Sequence, residues 1–154
     1  MISDTRIREL IDKEEIGING LESLDNQLQA STLDLRVASD YERPATGEVF
    51  SAEANNGQII LKPDTFYRLH TMEEVTLSNS VHGNTEEVMT HALDGIRVAT
   101  GAIHPGYSNY LVLGVENRSE KSKILKPSDT IVQVTFHMLE GTVEQEYKGE
   151  PEQF

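Results

Sequence analysis

Hydrophobic positions along the chain repeat at two periods. Ile7, Leu10 and Ile11 fall on one face at the three-and-four spacing of a helix, and Ser3 stands where a cap belongs. The spacing predicts one short helix from Asp4 to about Glu15, closed by Gly17 and Asn19-Gly20. Beyond it the period drops to two. Leu33, Leu35 and Val37 alternate with Thr32, Asp34 and Arg36, as in a half-buried strand. Similar stretches recur at Gln58–Leu61, Phe66–Met72, Glu74–Leu77, Ile96–Ala99, Tyr110–Glu116, Thr130–Leu139 and Gly141–Tyr147. Turn signals such as Asn56-Gly57, Lys62-Pro63-Asp64, Asp94-Gly95, His104-Pro105-Gly106 and Lys126-Pro127-Ser128-Asp129 separate them. Many short strands at this spacing predict an all-β barrel or double sheet.

One interior stretch departs from period two. From Asn84 to Leu93, the residues Val88, Met89, Ala92 and Leu93 share a helical face, with Asn84 as cap and Glu87 three residues on. A second short helix is expected there. Tyr41–Asn56, with Gly, Pro and few large apolar residues, reads as an exposed excursion, and Gly149–Phe154 as a mobile tail.

The 154 residues suit one domain spanning 1–154, with a modest core. No apolar run is long enough for a transmembrane helix and no signal peptide is visible at Met1-Ile2-Ser3-Asp4, so the expectation is a cytoplasmic protein away from membranes. The absence of Cys excludes disulfides, thiolate metal sites and cysteine nucleophiles. A net charge of −13 is the wrong sign for a nucleic-acid surface. It leaves room for a small phosphate ligand met by a few local donors and a divalent cation.

Several residues carry candidate chemistry, each with a plainer alternative. Asp34, between Leu33 and Leu35, suits either a metal–phosphate complex or a salt bridge to Arg36. Asn84-Thr85 opens the expected helix, where free N–H groups attract phosphate, although Glu86 and Glu87 satisfy the same dipole. In His104-Pro105-Gly106-Tyr107 the imidazole suits a general base and the ring suits stacking on a nucleobase; a plain exposed turn is the other reading. Glu116 ends the apolar run Leu111-Val112-Leu113 and shares a strand face with Gly114, either shuttling protons or facing an edge. The histidines lack the spacing of a zinc site.

Taken in order, the segments resemble the dCTP deaminase and dUTPase superfamily. Ile2–Ile16 is similar to the N-terminal helix of dCTP deaminases, and Gln29-Ala30-Ser31-Thr32-Leu33-Asp34-Leu35-Arg36 to the family's first motif. Leu61-Lys62-Pro63-Asp64-Thr65-Phe66-Tyr67 resembles the turn and strand that follow. Ile103–Tyr107 with Leu111-Val112-Leu113 resembles the third motif, and Leu125-Lys126-Pro127 with Ile131–Phe136 the fourth. Tyr147-Lys148-Gly149 with Gln153 resembles the tail that closes over the nucleotide.

This resemblance implies a distorted, jelly-roll-like β-barrel of the dUTPase type. It also implies a homotrimer with sites between subunits, a deoxynucleoside triphosphate as ligand, and Mg²⁺ bridging the triphosphate. Gln133 is then expected near the base, Asp34 near the metal or a neighbouring subunit, and Tyr147 and Lys148 near sugar and phosphate. The implied reaction is hydrolytic deamination of dCTP to dUTP and ammonia. The alternatives are hydrolysis of dUTP to dUMP and pyrophosphate, with His104 as base, or a non-catalytic nucleotide-binding or interaction trimer. Three motif positions differ. Gly83-Asn84-Thr85-Glu86 stands where the family has Gly-Arg-Ser-Ser, His104 replaces an aspartate, and Gly114 replaces the glutamate that activates water. Glu116, two residues on, is the candidate replacement.

Overall fold

The computed structural model describes residues 1–149. Helix α1 (Asp4–Asp12) buries Ile7 and Leu10 on its apolar face. It stops short of Glu15 because Glu14 takes a left-handed backbone, φ 58°. Strand β1 (Ile16–Asn19) and the turn-length α2 (Leu24–Gln27) follow, the latter capped by Ser23 Oγ accepting from Asn26 N. Then come β2 (Leu33–Arg43), β3 (Glu48–Ser51), a 3-10 turn (Ala52–Asn55) and β4 (Ile59–Leu61). After β5 (Thr65–Leu77) and β6 (Val81–Glu87), α3 (Met89–Leu93) leads to β7 (Ile96–Val98) and β8 (Ala102–Ile103). The strands β9 (Ser108–Asn117), β10 (Lys123–Leu125) and β11 (Thr130–Met138) complete the chain of elements.

The strands form an antiparallel sheet in the order β7-β9-β5-β2-β11-β6-β8, with β1 beside β5 and β3 beside β2; β10 pairs with β4. The sheet curls into a half-barrel: the period-two pattern led one to expect a barrel or double sheet, and the family resemblance implied its distorted form. Its inner face is the core. Leu33, Leu35 and Val37 of β2 meet Leu69 and Val75 of β5, Leu113 and Val115 of β9, and Val134 and Phe136 of β11, all buried. Burial of apolar area at about 25 cal/mol per Å² drives this closure.

Four local expectations are corrected. The residues Asn84–Glu87, expected to open a helix, belong to β6. Strand β6 is paired with β11 along its length and with β8 on its other edge, and its buried residues alternate as Val81, Gly83, Thr85. A ladder on both sides outweighs one capping box. Only Met89–Leu93 is helical, and its apolar face is not core: Leu93 is 81% exposed. Gly141–Tyr147 forms no strand, because no sheet edge pairs with it. Phe66–Met72 and Glu74–Leu77 are one strand, β5, broken in register against β9 between His70 and Glu74.

The expected excursion at Tyr41–Asn56 carries the end of β2, strand β3 and the 3-10 turn. Tyr41 is buried, stacks on Phe50 at 5.1 Å, and its hydroxyl accepts from Ile60 N at 3.2 Å. The expected tail reaches beyond residue 149, so most of it, Gln153 included, lies outside the described residues. No helix among the described residues is long and apolar enough to cross a membrane.

Candidate functional site

Where the half-barrel curls round, β6 and β8 at one end of the sheet approach β9 from the other. The segment 99–104 spans that gap. Thr85 of β6 pins it: its Oγ1 accepts from Gly101 N at 2.8 Å and donates to Gly101 O at 3.2 Å. Gly83 permits the close pairing, since a Cβ there would meet Ile103 at 3.3 Å. Behind the segment lies a cavity of about 250 Å³ lined by Thr85, residues 99–104, Tyr107, residues 111–114 and Tyr147.

Five of the residues singled out in the sequence thus converge: Thr85, His104, Tyr107, Val112 and Tyr147. The ring of Tyr147 stacks on His104 at 6.0 Å and leans on Tyr107 at 5.6 Å, which closes the mouth with aromatic surface. Tyr107 donates its hydroxyl to Tyr110 O, and burial pushes that phenol up to about 12. It is a fixed neutral wall, not an acid at ordinary pH.

Strand β9 contributes an open edge. β7 pairs with it only over Val115–Asn117. Leu111 N points to the β5 side, donating to Thr71 Oγ1 at 3.0 Å, whereas Gly114 O faces the other side and accepts from Ala99 N at 2.8 Å. Strand alternation therefore aims the N–H and C=O of Val112 away from β5 and into the cavity, where no strand pairs with them among the described residues. This edge offers one donor and one acceptor side by side.

Glu116 is not in this cavity but in the next one. That cavity, about 290 Å³, is lined by Phe66, Glu87, Arg97, Val98, Ala99, Thr100, Gly114, Glu116 and Arg118. The two share Ala99, Thr100 and Gly114, so they form one groove along β9. Glu116 lies between Phe66 and Arg97 in register and pairs with Arg118 at 2.9 Å. Glu87 holds Arg97 through two bonds of 2.8 Å and accepts from Val98 N, tying β6 to β7. Arg97's hydrogen bond holds the Glu87 carboxyl below its ordinary value, against the opposing effect of burial. Gly114 lies directly under the ring of Phe66, whose Cε2 and Cζ would be 2.9 Å from a Cβ placed there. Phe66 therefore occupies the space that a side chain at position 114 requires.

The remaining expected residues lie elsewhere. Asp34 and Gln133 face each other across β2 and β11 on the outer face of the sheet. Gln133 Nε2 donates to Asp34 Oδ1 at 2.9 Å, and Gln29 Nε2 donates to Oδ2 at 3.2 Å. Asn84 also faces outward, its Oδ1 3.3 Å from His82 Nε2. Lys148 is exposed and lines neither cavity. Among the described residues no group of three or more His, Asp or Glu is placed to hold a metal ion. Each Asp34 oxygen accepts from one side-chain amide, which ties the carboxylate into the β2–β11 pairing. Sequence reasoning missed Phe66, Arg97 and the Thr100-Gly101 wall. Phe66 and Arg97 become visible only once β5 and β7 are laid beside β9 at Glu116.

Residues 1–139 match the protein family described as dCTP deaminase-like. The chain belongs to that family. A dCTP deaminase of Thermococcus sibiricus is 30% identical over 125 residues, covering 81% of this chain and 78% of that protein. Among solved structures, the 2'-deoxycytidine 5'-triphosphate deaminase of Agrobacterium tumefaciens superposes with a TM-score of 0.74 at 17% identity, covering 89% of this chain. This chain spans 47% of that one. A variant dUTPase from phage phi11 of S. aureus, described as coordinating a structural Mg(II) ion, gives a TM-score of 0.59 at 10% identity. It covers 88% of this chain and 97% of its own. These structural likenesses establish the fold: the family member is built on the dUTPase-type barrel.

Proposed function

We propose that this family member binds a deoxycytidine nucleotide, dCTP foremost, with the pyrimidine against Val112, and that it deaminates the base. In that reaction water adds at C4, ammonia leaves, and dUTP remains. The observation that carries the reading is the open β9 edge. A pyrimidine presents a hydrogen-bond acceptor beside a donor, the complement of one backbone N–H and C=O. The cavity of about 250 Å³ suits a single base ring and is too small for a whole triphosphate, which must extend out of it. Tyr107 and Tyr147 supply the stacking surface.

In this reading Glu116 is the carboxylate that takes the proton from water, reached along the groove past Gly114. Mg²⁺ would arrive with the triphosphate rather than on protein ligands, since the described residues offer no cage for it. Asp34 and Gln133, on an outer face, would serve the nucleotide site of a neighbouring copy in a homotrimer. Lys148 and Gln153 would meet the phosphates from the tail.

A second reading has its own observation. Among the described residues no carboxylate lines the Val112 cavity itself, and Phe66 fills the space over Gly114, where the resemblance implied a glutamate. Nucleotide binding without turnover suits that arrangement. Product analysis separates the two. The protein is incubated with Mg²⁺ and dCTP, then dUTP, and the nucleotides are resolved by anion exchange. We expect dUTP from dCTP, and a loss of about 10²–10⁴ in rate for Glu116→Gln with binding retained. Binding without product supports the second reading. Pyrophosphate and dUMP from dUTP alone replaces deamination with dUTP hydrolysis.

A further inference from the structure

The β6 stretch Gly83-Asn84-Thr85-Glu86 carries no arginine, and the arginines nearest the groove are already neutralised, Arg97 by Glu87 and Arg118 by Glu116. Three imidazoles stand in a row at the mouth of the cavity instead. His82 faces outward from β6, opposite His137 in the β11 register, with ring centroids 6.4 Å apart. His104 lies 6.0 Å from His82 on the other side and borders the cavity through its stack with Tyr147. The row therefore leads from the cavity mouth onto the outer face of β6 and β11. The rings do not converge on a point as metal ligands would. Spaced donors along a line match an extended anion with many oxygens.

We propose that this row binds a polyphosphate chain, with protonated His82 and His104 as the donors, and that it holds the phosphate end of the nucleotide whose base meets Val112. Only the second clause rests on the function proposed above. The charged groups facing the row are few. β6 contributes Glu86, and β11 contributes His137. The amino group of Met1 stands 2.7 Å from His137 Nδ1, and Glu146 and Lys148 flank Tyr147 on the tail segment. Burial and that amino group hold His137 below its ordinary value, so His82 and His104 are the donors of the proposed row. No salt bridge engages either of them among the described residues; Asn84 Oδ1 stands 3.3 Å from His82 Nε2, so an incoming anion meets His104 and the other ring nitrogen of His82.

The test is calorimetric titration with inorganic tripolyphosphate, free of metal, at about pH 5.5 and about pH 8, either side of the histidine range. We expect affinity to rise by roughly tenfold or more at the lower pH. The anion itself loses charge on acidification, so such a gain belongs to the protein. His104→Asn, on an exposed turn, should lower the acid-side affinity by about three- to tenfold and flatten the pH response, and His82→Asn likewise. Glu86→Gln should raise it, an effect of opposite sign that a structural role for the row would not produce. Should His82→Asn fail to fold, His104→Asn and Glu86→Gln decide the matter. Binding that does not strengthen on acidification, or that survives His104→Asn unchanged, overturns the proposal. Titration of dCTP in parallel separates the two readings. If dCTP binds without dependence on either imidazole, the row does not hold the nucleotide's phosphates, the second clause falls and the base site stands. If tripolyphosphate binds through the histidines and dCTP does not bind, the row stands and the nucleotide reading falls.

Discussion

Glu73 carries a carboxylate with no solvent exposure, and both of its oxygens accept hydrogen bonds. Arg36 Nε donates at 2.6 Å, Arg36 N at 2.9 Å and Gln27 Nε2 at 2.9 Å. Arg36 in turn reaches Gly20 O at 2.6 Å and Glu22 at 3.2 Å, and Gln27 reaches Asp34 O at 2.9 Å. One buried side chain thus fastens α2 and the loop after β1 to the middle of the sheet. Removing one partner of a buried pair leaves the other charge uncompensated. Glu73→Ala is expected to cost about 3–5 kcal/mol, read as a lower urea midpoint at unchanged slope. A loss under about 1 kcal/mol would mean that Glu22 and Gly20 alone satisfy Arg36. The same network explains why Arg36, which adjoins Asp34 in sequence, makes no bond to it: Glu73, distant in sequence, claims the guanidinium.

At the scale of elements, what the sequence made legible was period two wherever one face is buried. β2, β4, β5, β7, β9 and β11 stand close to where Leu33-Leu35-Val37 and its counterparts place them. β6 was hidden because Asn84, Thr85 and Glu86 have the composition of a helix start, and only pairing with β11 and β8 makes them a strand. Glu87, read as a cap partner, is the clasp on Arg97. Of the candidate site, the His104–Tyr107 turn, Val112 and Tyr147 were legible as motifs. The placing of Glu116 beyond Gly114, with Phe66 between, was not, because it depends on the β5–β9 register.

Two of these elements carry pH sensitivity. The Glu87 carboxyl has a lowered folded value, so the β6–β7 clasp contributes fully above its ordinary value of about 4.5 and is lost as pH falls through that lowered value. His137, lowered mainly by burial, binds its proton more readily in the unfolded chain. Stability therefore falls as pH drops below about 6.5 towards the lowered folded value. Melting curves across pH should show both losses. His137→Asn should remove the upper one and Glu87→Gln the lower. Identical acid profiles in the wild type and both variants would place the acid sensitivity in other groups.

For the whole molecule, charge and incompleteness act against each other. Each chain carries −13, and like-charged copies repel one another. Yet the Val112 cavity is small, and the Asp34–Gln133 pair sits on a separate outer face where, among the described residues, Gln29 is the further side chain bonded to it. Both facts are accounted for if copies assemble so that one chain's outer face meets another's groove. Assembly must then overcome a repulsion that salt screens, with a Debye length of about 30 Å at 0.01 M and about 8 Å at 0.15 M. We therefore expect sedimentation at low ionic strength to show dissociation towards the 17.2 kDa chain and, at physiological salt, a trimer. If the ligand is bound across copies it favours the assembled state, and dCTP at 100-fold excess over its Kd should then add about 2.7 kcal/mol of stability and shift the salt midpoint downward. A chain that stays monomeric at every salt concentration while still gaining that stability would confine the nucleotide site to the single groove along β9. It would also leave Asp34 and Gln133 as parts of the sheet alone.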